Sequence, residues 1–225
     1  MAFMKTNTVD ITVDGETYNS LHDFGLAIEN TDYIGEPVRN KQGVVQVPGV
    51  PHPLDTDSTV FGGPWFMYRS IRISFGGVNV PEDWDAFIAS MRNLFEGRSV
   101  KLSFQTQPEW YWKGIASIEK YNRNRALGTF DFCINEADAY QYKDVQIKFN
   151  ASGQRQIVLT GDNIIPSFSL GSASKIVVTY QGQAYTITAP ATRNYDLRLR
   201  SGTSAVAVSI TGSGPITMSY TDRSL

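Results

Sequence analysis

The 225-residue sequence contains one cysteine and two histidines, and each scarcity removes a class of chemistry. A lone Cys133 cannot build an internal disulfide framework, so the chain is compatible with folding in a reducing cytoplasm. Its neighbours Phe132 and Ile134 predict a buried thiol. His22 and His52 sit in unrelated contexts with no cysteine, histidine or carboxylate at metal-ligand spacing, so a structural or solvent-exposed role is expected for both. Without a positioned histidine, the serines and Cys133 lack a nameable base, and nucleophilic catalysis is not expected. Charge is sparse as well: charged residues make up 19%, and Lys+Arg 20 against Asp+Glu 22 leaves a net charge of -2. Such a balance offers no general attraction to nucleic acid or anionic lipid. No apolar run approaches the roughly 18 residues of a membrane span. Asn7 and Asp10 follow the N-terminal residues where a signal peptide would continue apolar. A soluble, cytoplasmically made chain with no metal, cofactor or membrane insertion is the expectation.

What is present is strand pattern. Apolar and polar residues alternate at Val9–Val13, Phe24–Glu29 and Arg69–Phe75, each bounded by Gly, Asp or Pro. Asp14-Gly15 predicts a tight hairpin turn near the start, because glycine accepts positive φ without steric penalty. The alternation resumes at Val100–Phe104, Trp110–Ile118 and Leu127–Ile134, and the polar stretch Glu119–Arg125 predicts a turn joining the last two.

One helix interrupts this pattern, over about Glu82 to Glu96. Trp84, Phe87, Ile88, Met91, Leu94 and Phe95 recur at spacings of three and four, and so share one face that must cover a sheet or a partner. Pro81 marks the start and Gly97 the stop, while Glu82, Asp83 and Asp85 complement the positive end of the helix dipole. That complementarity accounts for one of two carboxylate clusters that a glycosidase could use. The other, Asp55 with Asp57, lies in a proline-rich loop. Gly62-Gly63 and Gly76-Gly77 lack the spacing and the Lys-Ser/Thr of a phosphate cradle, so turn formation explains them.

Beyond about Asp138 the character changes. Short β-branched runs at Gln156–Leu159, Lys175–Tyr180, Tyr185–Ala189, Asp196–Leu199, Ala205–Ile210 and Ile216–Tyr220 are punctuated by Gly, Ser and Asn. They predict a β-sandwich, with a boundary near Tyr142 to Ile147. The expected division is 1–144 and 145–225.

Aromatic clusters leave two roles open. Trp110-Tyr111-Trp112 could stack sugars, but an alternating strand would turn Trp110 and Trp112 into the core, the simpler account. Gly62–Tyr68 is equally consistent with core and with a protein interface. Tyr180, Tyr185 and Tyr195 with Arg193, Arg198 and Arg200 could form a ligand face, although arginines alternating with Leu197 and Leu199 fit the solvent side of an edge strand better.

In order and spacing, several of these segments resemble the distal tail protein (Dit) family of long-tailed bacteriophages. The resemblance runs from about Phe24 to Ile134. It rests on Val47-Pro48-Gly49 followed by Leu54-Asp55, on Arg72-Ile73-Ser74-Phe75, on the lone helix with Trp84, Leu94 and Gly97-Arg98, and on Pro108-Glu109-Trp110-Tyr111 leading to Gly114. It departs after Val47-Pro48, where relatives often carry Gly-Arg-Asp-Gly and here Gly49 is followed by Val50-Pro51-His52-Pro53. The resemblance implies a mainly β protein: an N-terminal β-sandwich with one α-helix and a projecting hairpin or belt, and a C-terminal galectin-like β-sandwich. It also implies a non-enzymatic virion component, a homo-hexameric ring hub at the distal end of the tail. Its partners would be the tail tube protein, a tail-tip or tail-associated protein and a receptor-binding protein, with no specific nucleic-acid binding although DNA passes through the channel. The alternative is a carbohydrate-binding β-sandwich module. For a ring, Pro64, Trp65, Phe66 and Tyr68 are the subunit-interface candidates.

Overall fold

The computed structural model describes residues 8–39, 44–45, 54–55, 66–77, 83–124, 127–150, 152–161, 164–200, 206–212 and 214–224. Its contacts divide the chain into one unit ending at Gln141 and a second, Tyr142–Ser224.

The first unit begins with β1 (Val9–Val13) and β2 (Glu16–Asn19). Asp14 and Gly15 join them with φ of 51° and 88°, the paired positive values of a type I′ turn, so the expected hairpin is present. A second helix, α1 (Ser20–Phe24), then stands where the expected strand was to start at Phe24. The reason is local: the Asn19 side chain accepts from the Leu21 and His22 backbone N–H groups, and Gly25 closes the turn at φ 66°. The strand itself, β3, runs Leu26–Ile34.

After it come β4 (Val38–Arg39), β5 (Val44–Val45), β6 (Leu54–Asp55) and β7 (Phe66–Gly77). The two short strands β5 and β6 pair only with each other, apart from the large sheet. Val47-Pro48-Gly49 and Val50-Pro51-His52-Pro53, on which the resemblance turns, lie outside the described residues.

The long helix is α2 (Trp84–Phe95). Asp83, expected in the first turn, is its N-cap, accepting from the Ala86 N–H at 2.9 Å. Gly97 follows the end at φ 71°, while Pro81 and Glu82 lie outside the described residues. The apolar stripe faces inward: Trp84, Ile88, Met91 and Phe95 are buried, with Phe87 and Leu94 at the margins.

Strands β8 (Ser99–Phe104), β9 (Trp112–Asn124) and β10 (Leu127–Asp138) complete the unit. The sheet order is β2-β1-β8-β9-β10-β7-β3, with β4 also on β7. β9 lets one path serve two faces of a core. Its first residues, to Ile115, pair with β8, and Ala116–Asn124 pair with β10. Gly114 lies at that crossing, where an added Cβ would collide with Ile134 and sit 2.8 Å from Ala137 Cα. Glycine there lets β9 pass close under the bulge between Ile134 and Ala137. Val9, Ile11, Val100 and Leu102 from one side meet Ile71, Ile73, Phe130 and Phe132 from the other. Phe95 of α2 joins the two, with its ring against those of Tyr18, Phe24 and Phe132.

Two further expectations fail in this unit. Glu119–Asn124 is not a turn but the end of β9, with Lys120 at φ 44° and a register shift opposite it. Trp110 is not in the strand: its N–H bonds Gln107 O in a turn, and β9 starts two residues later.

The second unit contains β11 (Gln141–Phe149), β12 (Gly153–Ile157), β13 (Ser167–Ser169), β14 (Lys175–Tyr180), β15 (Gln183–Thr188), β16 (Val206–Thr211) and β17 (Ile216–Ser224). They form the sheets β11-β17-β13 and β12-β16-β14-β15, which share a core including Phe168, Ile176, Val178, Val208, Ile210, Ile216 and Met218. The expected strand at Asp196–Leu199 is instead a turn followed by a single bridge, Ile164 with Leu199. Asn194 is the cause. Its Oδ1 accepts the Asp196 N–H and its Nδ2 donates to Thr186 O, which curls the chain while Leu197 and Leu199 still drop into the core.

Candidate subunit interface

β7 alternates strictly once it is over the core. Arg69, Ile71, Ile73 and Phe75 turn inward, and Ser70, Arg72 and Ser74 outward. Its first residues extend past the core, and there apolar side chains meet solvent. Met67 is 51% and Tyr68 36% exposed, and Ile34 and Val38 are each 43% exposed. They flank the strand end on both faces: Val38 is registered opposite Tyr68, Ile34 is opposite Ile71 and so shares the parity of Met67, and the Gly35 N–H bonds Ser70 O at 2.8 Å. β3 is the edge strand of the sheet, so this apolar corner borders an edge.

Of the four interface candidates, Phe66 and Tyr68 lie here, while Pro64 and Trp65 fall outside the described residues. Phe66 is half-buried with its ring edge-on to Tyr140, so it braces the corner, and Tyr68 presents it. The sequence reading missed Ile34 and Val38. Each is a lone aliphatic among polar residues, and its place beside β7 is set by pairing across the sheet.

Beneath the corner is Arg69, 7% exposed, its guanidinium 4.3 Å from the Trp112 ring centroid. Burial pushes its pKa below the ordinary arginine value, and Arg69 Nε and Trp112 Nε1 have no hydrogen-bond partner among the described residues. Trp112, itself 3% exposed, is thus a lid on the core rather than a sugar platform. Tyr111 instead carries the Lys101 ammonium 4.3 Å above its ring.

The outward face of the same sheet is a polar ladder. Ser74 donates to Asp131 at 2.7 Å, Asn135 donates to Glu119 at 3.0 Å, and Arg72 lies 3.8 Å from Asp131 and 3.9 Å from Glu119. Cys133 is registered beside Arg72 in this ladder, fully buried as expected but on the face away from the core. Burial raises its pKa above the ordinary 9.0, opposed by the Arg72 hydrogen bond.

The remaining candidates are dispersed. The His22 side chain is 88% exposed on α1, where it meets Asp23. His52, Asp57 and Glu82 lie outside the described residues, and Asp83 is a helix cap. Tyr180, one of the possible ligand-face tyrosines, is 2% exposed and accepts the Arg200 N–H, so that face does not form, while Tyr195 is 67% exposed. Among the described residues no three His, Cys, Asp or Glu side chains cluster as a metal site, and no helix is long and apolar enough to cross a membrane.

No protein-family model matches the chain, and no curated protein matches it. Among solved structures it is similar to SPP1 Dit (gp 19.1), described as a paradigm of the hub adsorption apparatus in phages infecting Gram-positive hosts. The TM-score is 0.60 at 12% identity, over 96% of this chain and 99% of that one. The chain therefore has the mainly β fold of that protein along nearly its whole length.

Proposed function

We propose that this chain is a structural tail component of a long-tailed phage, a hub linking tail tube to tail tip. The carrying observation is the fold shared with a hub adsorption protein across both units at low identity. Shape retained through both units fits an assembly role, in which surfaces rather than reactive groups are what the fold must present.

In this reading residues 1–144 form the ring, a homo-hexamer, and 145–225 form a galectin-like outer domain. The tail tube protein, a tail-tip protein and a receptor-binding protein are the partners, the virion tail tip is the location, and no catalysis is involved. Symmetry supports this economy: a modest corner such as Met67, Tyr68, Ile34 and Val38 becomes a stable contact when repeated around a closed ring. An exposed apolar corner beside an edge strand is costly on a free chain and useful on an assembling one.

Light scattering and negative-stain imaging of the purified chain test the reading. A closed ring is expected. Met67→Asp and Tyr68→Asp should shift the population toward monomer while each variant keeps the wild-type far-ultraviolet dichroism, because a large part of each side chain already meets solvent in the single chain. A monomer at every concentration, with no ring in assembled tails, would sink it.

A further inference from the structure

The second unit carries a groove of about 480 Å³ built on the outward face of the sheet β11-β17-β13. Strand parity makes it: Val145 and Ile147 pack inward, so Tyr142, Asp144 and Gln146 of β11 turn outward. Ser219, Thr221 and Arg223 of β17 and Ser167 of β13 continue the same floor. One wall is Ile164 and Ile165, and Arg193 overhangs from the loop after β15.

The walls are tied down. Ile164 and Leu199 exchange two backbone hydrogen bonds of 3.0 and 2.8 Å, and the Phe168 N–H bonds Thr192 O at 2.7 Å, which fixes the residue before Arg193. Buried Asp222, 4% exposed, accepts from the Thr160, Gly161 and Arg223 N–H groups and holds the loop leading to Ile164. A Cβ at Gly161 would collide with Arg223, so the loop closes directly on the strand that bears the cation.

We propose that this groove binds an anionic, hydroxyl-rich polymer: an oligosaccharide or polyol chain bearing carboxylate or phosphodiester groups. Serine, threonine and glutamine side chains donate and accept in the plane of a sheet, which matches repeated hydroxyls. Tyr142 adds a ring face with a polar edge. Two guanidiniums face one carboxylate, and Asp144 already accepts the Thr221 hydroxyl at 2.7 Å, so the groove is net cationic. The volume falls within the roughly 300–1,000 Å³ of small-ligand sites. A protein hot spot would share the tyrosines and arginines of this groove but would be poor in the serine and threonine that make its floor.

Calorimetric titration of the full chain tests this with three probes: a hyaluronan oligosaccharide for carboxylate, poly(glycerol phosphate) for phosphodiester, and chitohexaose as the neutral chain. Saturable binding of at least one anionic probe is expected. It should weaken about tenfold or more in Arg193→Gln, the loss of one charge-assisted hydrogen bond, and likewise in Ser219→Phe, which fills the floor. Lys175→Gln, on the other sheet, should change nothing. Lack of saturation with both anionic probes, equal affinity for chitohexaose, or equal loss in Lys175→Gln would overturn it. So would hydrogen-exchange protection of Tyr142 and Ser219 on ring assembly, since a protein would then cover the groove. Arg193→Gln should leave ring formation intact, so failure here and failure of the hub reading are told apart.

Discussion

Removing the Asp222 carboxylate should unfold much of the second unit's stability with one side chain. The carboxylate is 4% exposed, and it accepts from Gly161 N at 2.9 Å, Thr160 N at 3.0 Å and Arg223 N at 2.8 Å. A hydrogen bond to a charged group is worth about 1.5–3 kcal/mol, and an orphaned buried donor costs about 1–3 kcal/mol. Only the Gly161 bond is fully buried, and the other two N–H groups can recover water, so Asp222→Ala should cost about 3–5 kcal/mol. Asp222→Asn keeps Oδ1 for Gly161, Arg223 and, at 3.2 Å, Thr160, but replaces the Oδ2 acceptor of Thr160 with an amide donor, for about 1–3 kcal/mol. Set against roughly 0.05–0.15 kcal/mol per residue, a unit spanning Tyr142–Ser224 has about 4–12 kcal/mol in total. The alanine variant therefore approaches the limit of folding. Urea unfolding of the full chain can read this with an internal control, because Trp65, Trp84, Trp110 and Trp112 all precede Gln141. Tryptophan fluorescence should keep its midpoint, while hydrogen exchange of Tyr142–Ser224 accelerates in the order Asp, Asn, Ala. An alanine variant within about 1 kcal/mol of wild type would refute the reasoning.

Gly128 underlies the α2 anchor. A Cβ there would sit 2.5 Å from the Trp84 ring, which is fully buried and stacked on Phe87, so Gly128→Ala should cost about 1–3 kcal/mol by denaturant titration and alter near-ultraviolet dichroism. Cys133 should resist an aromatic disulfide reagent in the folded chain and react on unfolding, because burial both blocks it and raises its pKa. Glu119 is held below its ordinary 4.5, first by the Asn135 hydrogen bond and then by the Arg72 charge. Its folded value is depressed, so its contribution is present above the unfolded value of about 4.3 and lost as pH falls through the folded one. Urea midpoints between about pH 6 and pH 3 should fall less steeply in Asn135→Ala.

Much of the first unit was legible because its signals are local. The alternation at Val9–Val13 and the Asp14-Gly15 turn reappear as expected, and the α2 stripe packs as spaced. The failures are informative. The brief apolar alternation from Phe24 was visible, but Asn19 capping of the preceding turn was not weighed, so α1 was missed and its last residue, Phe24, was read as the start of a strand. Glu119–Asn124 looked like a turn from polarity alone, yet a polar face is what the outside of a sheet requires. Of the corner, Phe66 and Tyr68 were named as candidates and Met67 lies in the same run Gly62–Tyr68, whereas Ile34 and Val38 were not named. Ile34 and Val38 come from a different stretch of chain, and their register with β7 is set by pairing across the sheet.

The sequence by itself determined the period of β1 and of α2, the Asp14-Gly15 turn and the Gly97 stop. These depend on backbone dihedrals and on residues a few positions apart. Tertiary structure alone decided which apolar residues stay wet. Met67 and Ile71 share one parity on the same strand, yet one is 51% exposed and the other 1%. Tyr180 and Tyr195 are the same residue type, and one is a core member while the other meets solvent. Burial depends on what overlies a side chain, and that is set by strands far apart in sequence. The groove between Arg193 and Arg223 exists for the same reason: its floor and walls come from segments that only folding brings together.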